Sequence, residues 1–249
     1  MLILLPPSET KRAGGRGAPL DASALALPQL APQREAVVDA LVALSGDEDA
    51  AARVLKLSHR QRGDIADNAA LRSAPTMPAV DRYTGVLFDA LDASSLPPAG
   101  RRWLGAHVMI HSAPFGPVGA LDGIPAYRLA AGVSLPGLPP LRRHWADAVS
   151  SALAAAAPRF VLDLRSEAYA ALGPVPAGTA TAYVRVVTAG QGGAVRALNH
   201  FNKHAKGVLV RALAVQRPRV GSSAAFLRWA EGAGLEVRPG APGELELVV

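Results

Sequence analysis

Three short stretches of the 249-residue chain gather the side chains that can do chemistry. The first is Pro6-Pro7-Ser8-Glu9-Thr10-Lys11, with an acid, a hydroxyl and an amine within four residues. Glu9 is of a type that carries protons, and Lys11 binds an anion or, once desolvated, acts as nucleophile or base. In extended backbone Glu9 and Lys11 share one face while Ser8 points to the other. The second stretch is Asp163-Leu164-Arg165-Ser166-Glu167, with Tyr169 just beyond. Asp163 interrupts an apolar run and is costly there unless a cation pairs with it. Arg165 is taken either into the same catalytic pocket or as the partner in a structural ion pair, with Ser166 capping a helix. The third stretch crowds His200, Asn202, Lys203, His204 and Lys206 ahead of Gly207. His200 and His204 have metal-ligand spacing, but Phe201 stands where a zinc-protease helix needs Glu, and no third ligand is identifiable. No metal or cofactor is assigned. Lys203 and Lys206 read as a basic helix face that meets an anion, with an ordinary solvated face as the rival.

The elements that must position these groups follow from hydrophobic patterning. Met1–Leu5 is a continuous apolar run stopped by Pro-Pro, which predicts a buried strand feeding a loop. Phe160–Leu164 repeats that design, so two polar clusters each leave the end of a buried strand. Open α/β sheets place their ligands at the carboxyl ends of strands. Residues 12–33 read as an irregular excursion. Helices are expected at 34–44 and 49–57, forming a helix-hairpin-helix-like unit, and again at 81–91, 147–156, 196–214 and 222–232. Residues 102–111 read as a helix running into a strand, and 182–187 as a strand followed by a turn at 190–193. A terminal hairpin is expected from 235–239 and 244–249. No repeat and no long linker divides the order. The fold expected is mixed α/β (α+β), one compact domain over residues 1–249 with a central mixed sheet and flanking helices.

Composition narrows the function classes. Half the residues are hydrophobic and 18% are charged, which permits a substantial core. Trp103, Trp145 and Trp229 are read as core anchors. The absence of cysteine removes disulfides, thiol nucleophiles and cysteine-ligated metal centres. The five-residue apolar start lacks a basic leader and a cleavage site, and no apolar stretch is long enough to span a membrane. The chain reads as cytoplasmic. Its formal charge of +6 supports contact with nucleic acid, a nucleotide or another anion, with a solvated basic surface as the alternative. There is no phosphate-binding GxxxxGK loop, no GxSxG elbow, no HExxH and no GxGxxG after a strand.

The joint order of motifs resembles the YaaA family of bacterial peroxide-stress proteins. The resemblance is carried by the opening MLILL-Pro6-Pro7-Ser8-Glu9-Thr10-Lys11, Tyr83-Thr84-Gly85, and the Ser112–Gly116 turn with Pro117-Val118. It continues through Tyr127-Arg128-Leu129, Trp145, Asp163-Leu164-x-Ser166-x-x-Tyr169 and Lys203-x-Ala205-Lys206-Gly207. It implies a single α/β domain with a positively charged cleft and a helix-hairpin-helix element, implicated in DNA binding and in protection from oxidative damage. In this chain the turn of that element, Ser45-Gly46-Asp47-Glu48-Asp49, carries three acids where a phosphate-gripping turn offers amides and basic flanks. His204 stands where other members carry Lys, and Pro-Pro-Ser-Glu-Thr-Lys replaces a Ser-Pro-Ala-Lys form.

Two functions are therefore expected to compete. One is a stress protein whose basic cleft binds DNA or another polyanion. The other is an enzyme acting on a small anionic or nucleobase-like substrate. Its pocket is built from Glu9, Lys11, Arg165, Lys203 and Lys206, with Ser8, Tyr83, Tyr127, Arg128, Asp163, Ser166 and Tyr169 lining it.

Overall fold

The computed structural model describes the backbone of residues 1–189, 195–196 and 199–249, and the side chains of 1–187 and 201–249. The expected turn at 190–193 and the side chain of His200 lie outside the described residues. Among the described residues the strands are, in chain order, β1 (Leu2–Leu5), β2 (Met77–Pro78), β3 (Val108–Ser112), β4 (Gly116–Gly119), β5 (Gly123–Ile124), β6 (Val161–Asp163), β7 (Thr181–Ala189), β8 (Val195–Arg196), β9 (Val237–Pro239) and β10 (Glu244–Val248). The helices are α1 (Ala31–Leu44), α2 (Glu48–Val54), α3 (Asp64–Ala69), α4 (Ala79–Arg82), α5 (Val86–Leu91), α6 (Pro98–His107), α7 (Leu141–Ala156), α8 (Glu167–Ala170), α9 (Asn199–Gln216) and α10 (Ser223–Gly232).

The fold is the expected mixed α/β. One sheet runs in the order β4-β3-β1-β6-β7-β10-β9 with β8 added against β7, while β2 and β5 form a separate small pair. From β3 through β10 the neighbours are parallel, and the flanking β4 and β9 are antiparallel. Strand β1 lies between β3 and β6, with Leu4 opposite both Met109 and Asp163. All four of its residues are buried, which is why it reads as an unbroken apolar run instead of an alternating one. Pro6 then ends the ladder, because proline has no N–H to contribute.

Chain order reverses around β1. The chain leaves β1 for β3 and β4 on one side, then returns to β6, β7 and β10 on the other. A crevice at the carboxyl ends of two strands whose connections diverge is where open α/β sheets bind ligands. Here those strands are β1 and β6, and the segments leaving them are Ser8–Lys11 and Leu164–Tyr169.

Helix packing holds this arrangement. Helix α7 buries Leu141, Trp145, Val149, Ala152 and Leu153 along one stripe. Trp145 is fully buried, and its indole Nε1 donates to the Ala113 carbonyl at 3.0 Å. Trp103 is also buried, while Trp229 is half-buried and donates to the Gln216 side chain. Helix α9 packs so closely on α5 that a Cβ on Gly207 would fall 2.2 Å from the Leu87 carbonyl oxygen.

One expectation needs correction. The helix foreseen at 81–91 is split into α4 and α5, because Tyr83 is extended and Gly85 takes φ +92°. Residues 83–84 instead pair with the segment leaving β1, through a bridge between Lys11 and Tyr83. The two helices of the foreseen 34–57 unit are α1 and α2, joined by a tight turn. Asp47 caps α2 by accepting from the Ala50 amide at 2.9 Å, and Glu48 and Asp49 fill its first turn. Carboxylates thus occupy the helix start that a phosphate would need, and the pair gives no support to a nucleic-acid-binding hairpin.

The 12–33 excursion is irregular but not loose. Arg82 is fully buried and donates to the carbonyls of Arg12, Gly14, Pro75 and Ile124. Arg34, equally buried, donates to those of Ala22, Ala26, Phe115 and Pro117. Each guanidinium spends its fixed fork of donors on loop carbonyls that would otherwise go unsatisfied.

Candidate functional site

Backbone pairing places Lys11. The Arg12 amide donates to the Arg82 carbonyl at 2.8 Å and the Thr84 amide to the Thr10 carbonyl at 3.1 Å. Thr84 Oγ1 donates to Thr10 Oγ1 at 3.0 Å. Gly85 is required at this crossing: a Cβ there would come within 3.3 Å of both the Ser8 and the Thr10 hydroxyl oxygens. The amine of Lys11 folds back to donate to the carbonyls of Ser8, at 3.1 Å, and Glu9, at 3.3 Å. It also sits 4.0 Å from the centroid of the Tyr127 ring and 5.6 Å from that of Tyr83.

Those rings form a buried phenol cluster. Tyr83 and Tyr127 share a hydrogen bond of 2.7 Å between their hydroxyls, and beside them the Ser112 hydroxyl donates to the Gly116 carbonyl at 3.2 Å and accepts from the Phe115 amide at 3.0 Å. Burial drives both phenols far above their ordinary range, so they stay neutral. Tyr169 completes the group from α8. Burial pushes its phenol up to about 12, against a hydrogen bond to the Ala131 backbone that lowers it.

Arg128 supplies the second cation. Asn68 on α3 clamps its backbone, donating to the Arg128 carbonyl at 2.9 Å and accepting from its amide at 2.8 Å. The guanidinium is held only loosely by acids: Glu9 at 3.4 Å, with its side chain largely exposed, and Asp64 at 3.8 Å. Burial, with the Arg128 charge adding to it, lowers the Lys11 amine to about 7, and Asp64, Glu9 and Asp67 oppose that shift. Asp67 is itself raised, by burial first and by Asp64 second. An amine near neutrality set over tyrosine faces, with a weakly engaged guanidinium nearby, can bind an anion and exchange a proton with it.

A second polar cluster lies at the end of β6. Arg165 is fully buried and makes a two-pronged pair with Asp163, Nε at 2.9 Å and the terminal nitrogen at 2.7 Å. Its other terminal nitrogen donates to His111 Nδ1 at 2.9 Å and to the Gly173 carbonyl at 2.8 Å. With Nδ1 accepting, His111 is neutral, and burial followed by the Arg165 charge lowers its pKa far below the usual value. The Tyr183 hydroxyl donates to the Arg165 carbonyl at 2.9 Å. Lys206, buried on α9, stands 5.9 Å from the Tyr183 ring centroid, and burial lowers its amine to about 8.

The sequence-derived residues thus fall into two groups. Glu9, Tyr83, Tyr127 and Arg128 surround the Lys11 amine or act on its charge, and Tyr169 joins them through the other two tyrosines. Asp163, Arg165 and Lys206 form the other group, in which the Arg165 guanidinium is tied to the fold. Ser8 lends Lys11 its carbonyl, and its hydroxyl accepts from the Thr10 amide. Ser166 precedes α8 without a side-chain cap bond, and Lys203 and His204 are exposed. Asp64, Asp67 and Asn68 on α3 and His111 on β3 escaped the sequence reading. The polar run Asp64-x-x-Asp67-Asn68 was the available signal for α3. Among the described residues no three of His, Asp and Glu gather where they could hold a metal ion.

Lysine usage sharpens the contrast. The chain has four lysines against twenty-two arginines, and two of the four, Lys11 and Lys206, are the amines that burial brings towards neutrality. Arginine cannot lose its proton in this range, so only lysine serves where a neutral amine is needed.

Comparison with known proteins agrees with this architecture. Residues 1–239 match the family described as peroxide stress protein YaaA. A UPF0246 protein of Corynebacterium efficiens is 45% identical over the full length of both chains. A UPF0246 protein of Streptomyces coelicolor is 44% identical over 98% of this chain and 94% of its own. With the match spanning the sheet, the Lys11 segment and α9 alike, the chain belongs to the YaaA family of peroxide stress proteins.

Proposed function

We propose that this YaaA-family protein binds a small anionic or nucleobase-like ligand at the carboxyl ends of β1 and β6, with Lys11 as the group that acts on it. In this reading Arg128 anchors the ligand's negative charge, the tyrosine hydroxyls orient it, and Lys11 in its neutral form serves as base or nucleophile. Glu9 lies at the rim and carries the proton to solvent. Lys206 provides a second amine at the neighbouring strand end. The observation that carries the reading is the Lys11 amine itself, half-buried over the Tyr127 ring and lowered to about 7. Such shifts cluster at sites of proton transfer and nucleophilic attack.

The rival reading, protection of DNA by direct binding, rests on the net positive charge. The acidic start of α2 argues against contact through the α1–α2 pair. Native mass spectrometry of the purified protein, beside its Lys11→Met variant, separates the two. A small retained anion present in the wild type and lost in the variant is expected. Absence of any retained or titratable small anion, together with duplex binding whose affinity falls steeply with salt, would transfer the function to DNA.

A further inference from the structure

We propose a second anion site, at the opposite end of the sheet from Lys11, that takes a small ligand bearing a di- or triphosphate. A cavity of about 690 Å³ opens beside the amino ends of β1, β3 and β6. Its wall includes Trp103 and His107 from the end of α6, Arg159 just before β6, and the α9–α10 connection with Arg217, Arg219 and Ser222. That volume lies within the range of small-molecule and cofactor sites.

The charge arrangement carries the argument. Arg159, Arg217 and Arg219 are all exposed, and no Asp or Glu lines the cavity with them. Among the described residues none of the three makes an ion pair or a side-chain hydrogen bond. Other exposed arginines among the described residues, such as Arg142 and Arg143, also lack a carboxylate partner; what sets these three apart is that they line one cavity. Like charges converging without a counter-charge repel one another, and an anion relieves that repulsion. Guanidinium forks match phosphate oxygens, and three of them suit more than one phosphate group.

The backbone is shaped around these arginines. Arg217 closes α9 at φ +52°, a left-handed conformation rare outside glycine, and is followed by Pro218. Arg219 lies two residues on, so both guanidinium groups leave one short rigid connection. A Cβ on Gly221 would fall 3.0 Å from Arg159 Nε, so glycine lets this guanidinium lie against the chain. Ser222 then caps the ten-residue α10, accepting from the Ala225 amide at 3.2 Å. The remaining first-turn amides of α10 add positive potential at the same wall. On the other wall stand His107 and the largely buried Trp103, their ring centroids 4.6 Å apart and their planes tilted by 47°.

Isothermal titration with tripolyphosphate at constant ionic strength tests the site, with sulfate, a single tetrahedral anion, as the control. Saturable binding at one equivalent is expected, tighter than sulfate. The paired variant Arg159→Gln/Arg219→Gln should weaken it by about tenfold or more. Gly221→Ala displaces Arg159 without changing charge and should weaken it too. Arg142→Gln/Arg143→Gln on α7 removes the same charge elsewhere and should leave it unchanged, as should Lys11→Met. Equal loss in the α7 variant, or no preference over sulfate, would reduce the effect to bulk charge and overturn the proposal. Duplex DNA bound more tightly than tripolyphosphate, and released by the same Arg159/Arg219 change, would also overturn it in favour of a macromolecular partner.

Discussion

The Lys11 amine lies 4.0 Å from the centre of the Tyr127 ring, on an aromatic face whose phenol stays protonated. The ring offers only its quadrupole to the ammonium, not a negative charge. The other contacts of the amine are two carbonyl oxygens, and Arg128 adds positive charge nearby. Carbonyls and a ring face do not fully replace water around a cation, which is the physical reason the amine is brought down to about 7.

Stability should therefore depend on pH through Lys11. The folded amine titrates near 7, below the unfolded value of 10.5. Between these values the unfolded chain binds the extra proton, so the penalty of burying Lys11 is full below about 7 and is relieved as pH rises towards 10.5. Lys11→Met keeps the stem and removes the charge. It is expected to stabilise the protein by about 1–3 kcal/mol at pH 6, with the difference shrinking by pH 10. Denaturant midpoints of both proteins across this range check it. A difference independent of pH would mean that the amine is not held near neutrality.

The same amine should be chemically conspicuous. At pH 7 an ordinary lysine is neutral in fewer than about one molecule in a thousand, whereas Lys11 is about half neutral. Slow labelling with an amine-reactive reagent, followed by peptide mapping, is readable because the other lysines are only Lys56, Lys203 and Lys206. The rate at Lys11 is expected to level off just above pH 7, while that of a free-lysine model peptide in the same reaction keeps rising to above pH 9. Parallel profiles for the two would contradict the shift.

Much of this site could be read from the chain because strand ends announce themselves. Leu2–Leu5 and Val161–Leu162 are apolar runs closed by polar clusters, and both proved to be central parallel strands. What the sequence hid was three-dimensional pairing. Tyr83 sits in a helix-like stretch, yet Gly85 at φ +92° breaks it and lets residues 83–84 pair with Thr10–Arg12. Lys203 and Lys206 look equivalent on a helix, but only Lys206 faces the core. Asn68 looks like an ordinary helix-end amide and becomes legible only when Arg128, sixty positions away, is brought against it.

The Asp163–Arg165 pair should behave as structure. Arg165 is fully buried and Asp163 nearly so, and Arg165→Gln would leave the carboxylate without its cation. A destabilisation of about 3–5 kcal/mol is expected, read as a lower denaturant midpoint with an unchanged slope. Asp163→Asn/Arg165→Gln, which removes both charges, should recover part of that loss. If the double variant is as unstable as the sum of the single ones, the pair is not the interaction at stake.

Asn68 should govern the site without touching a ligand. Its amide satisfies both the carbonyl and the amide of Arg128 from a fully buried position. Asn68→Ala leaves those two backbone groups unpaired, at a cost of about 1–3 kcal/mol. Because Arg128 would lose its anchor while keeping its charge, anion affinity at the Lys11 site should fall with net charge unaltered. Arg128→Lys tests the other half: it keeps the charge but replaces a two-pronged fork with a point donor, and should bind a carboxylate probe more weakly than wild type. The expected order of affinity for a carboxylate probe is wild type, then either single variant, with Arg128→Met weakest. An affinity in Arg128→Met equal to wild type would remove Arg128 from the site.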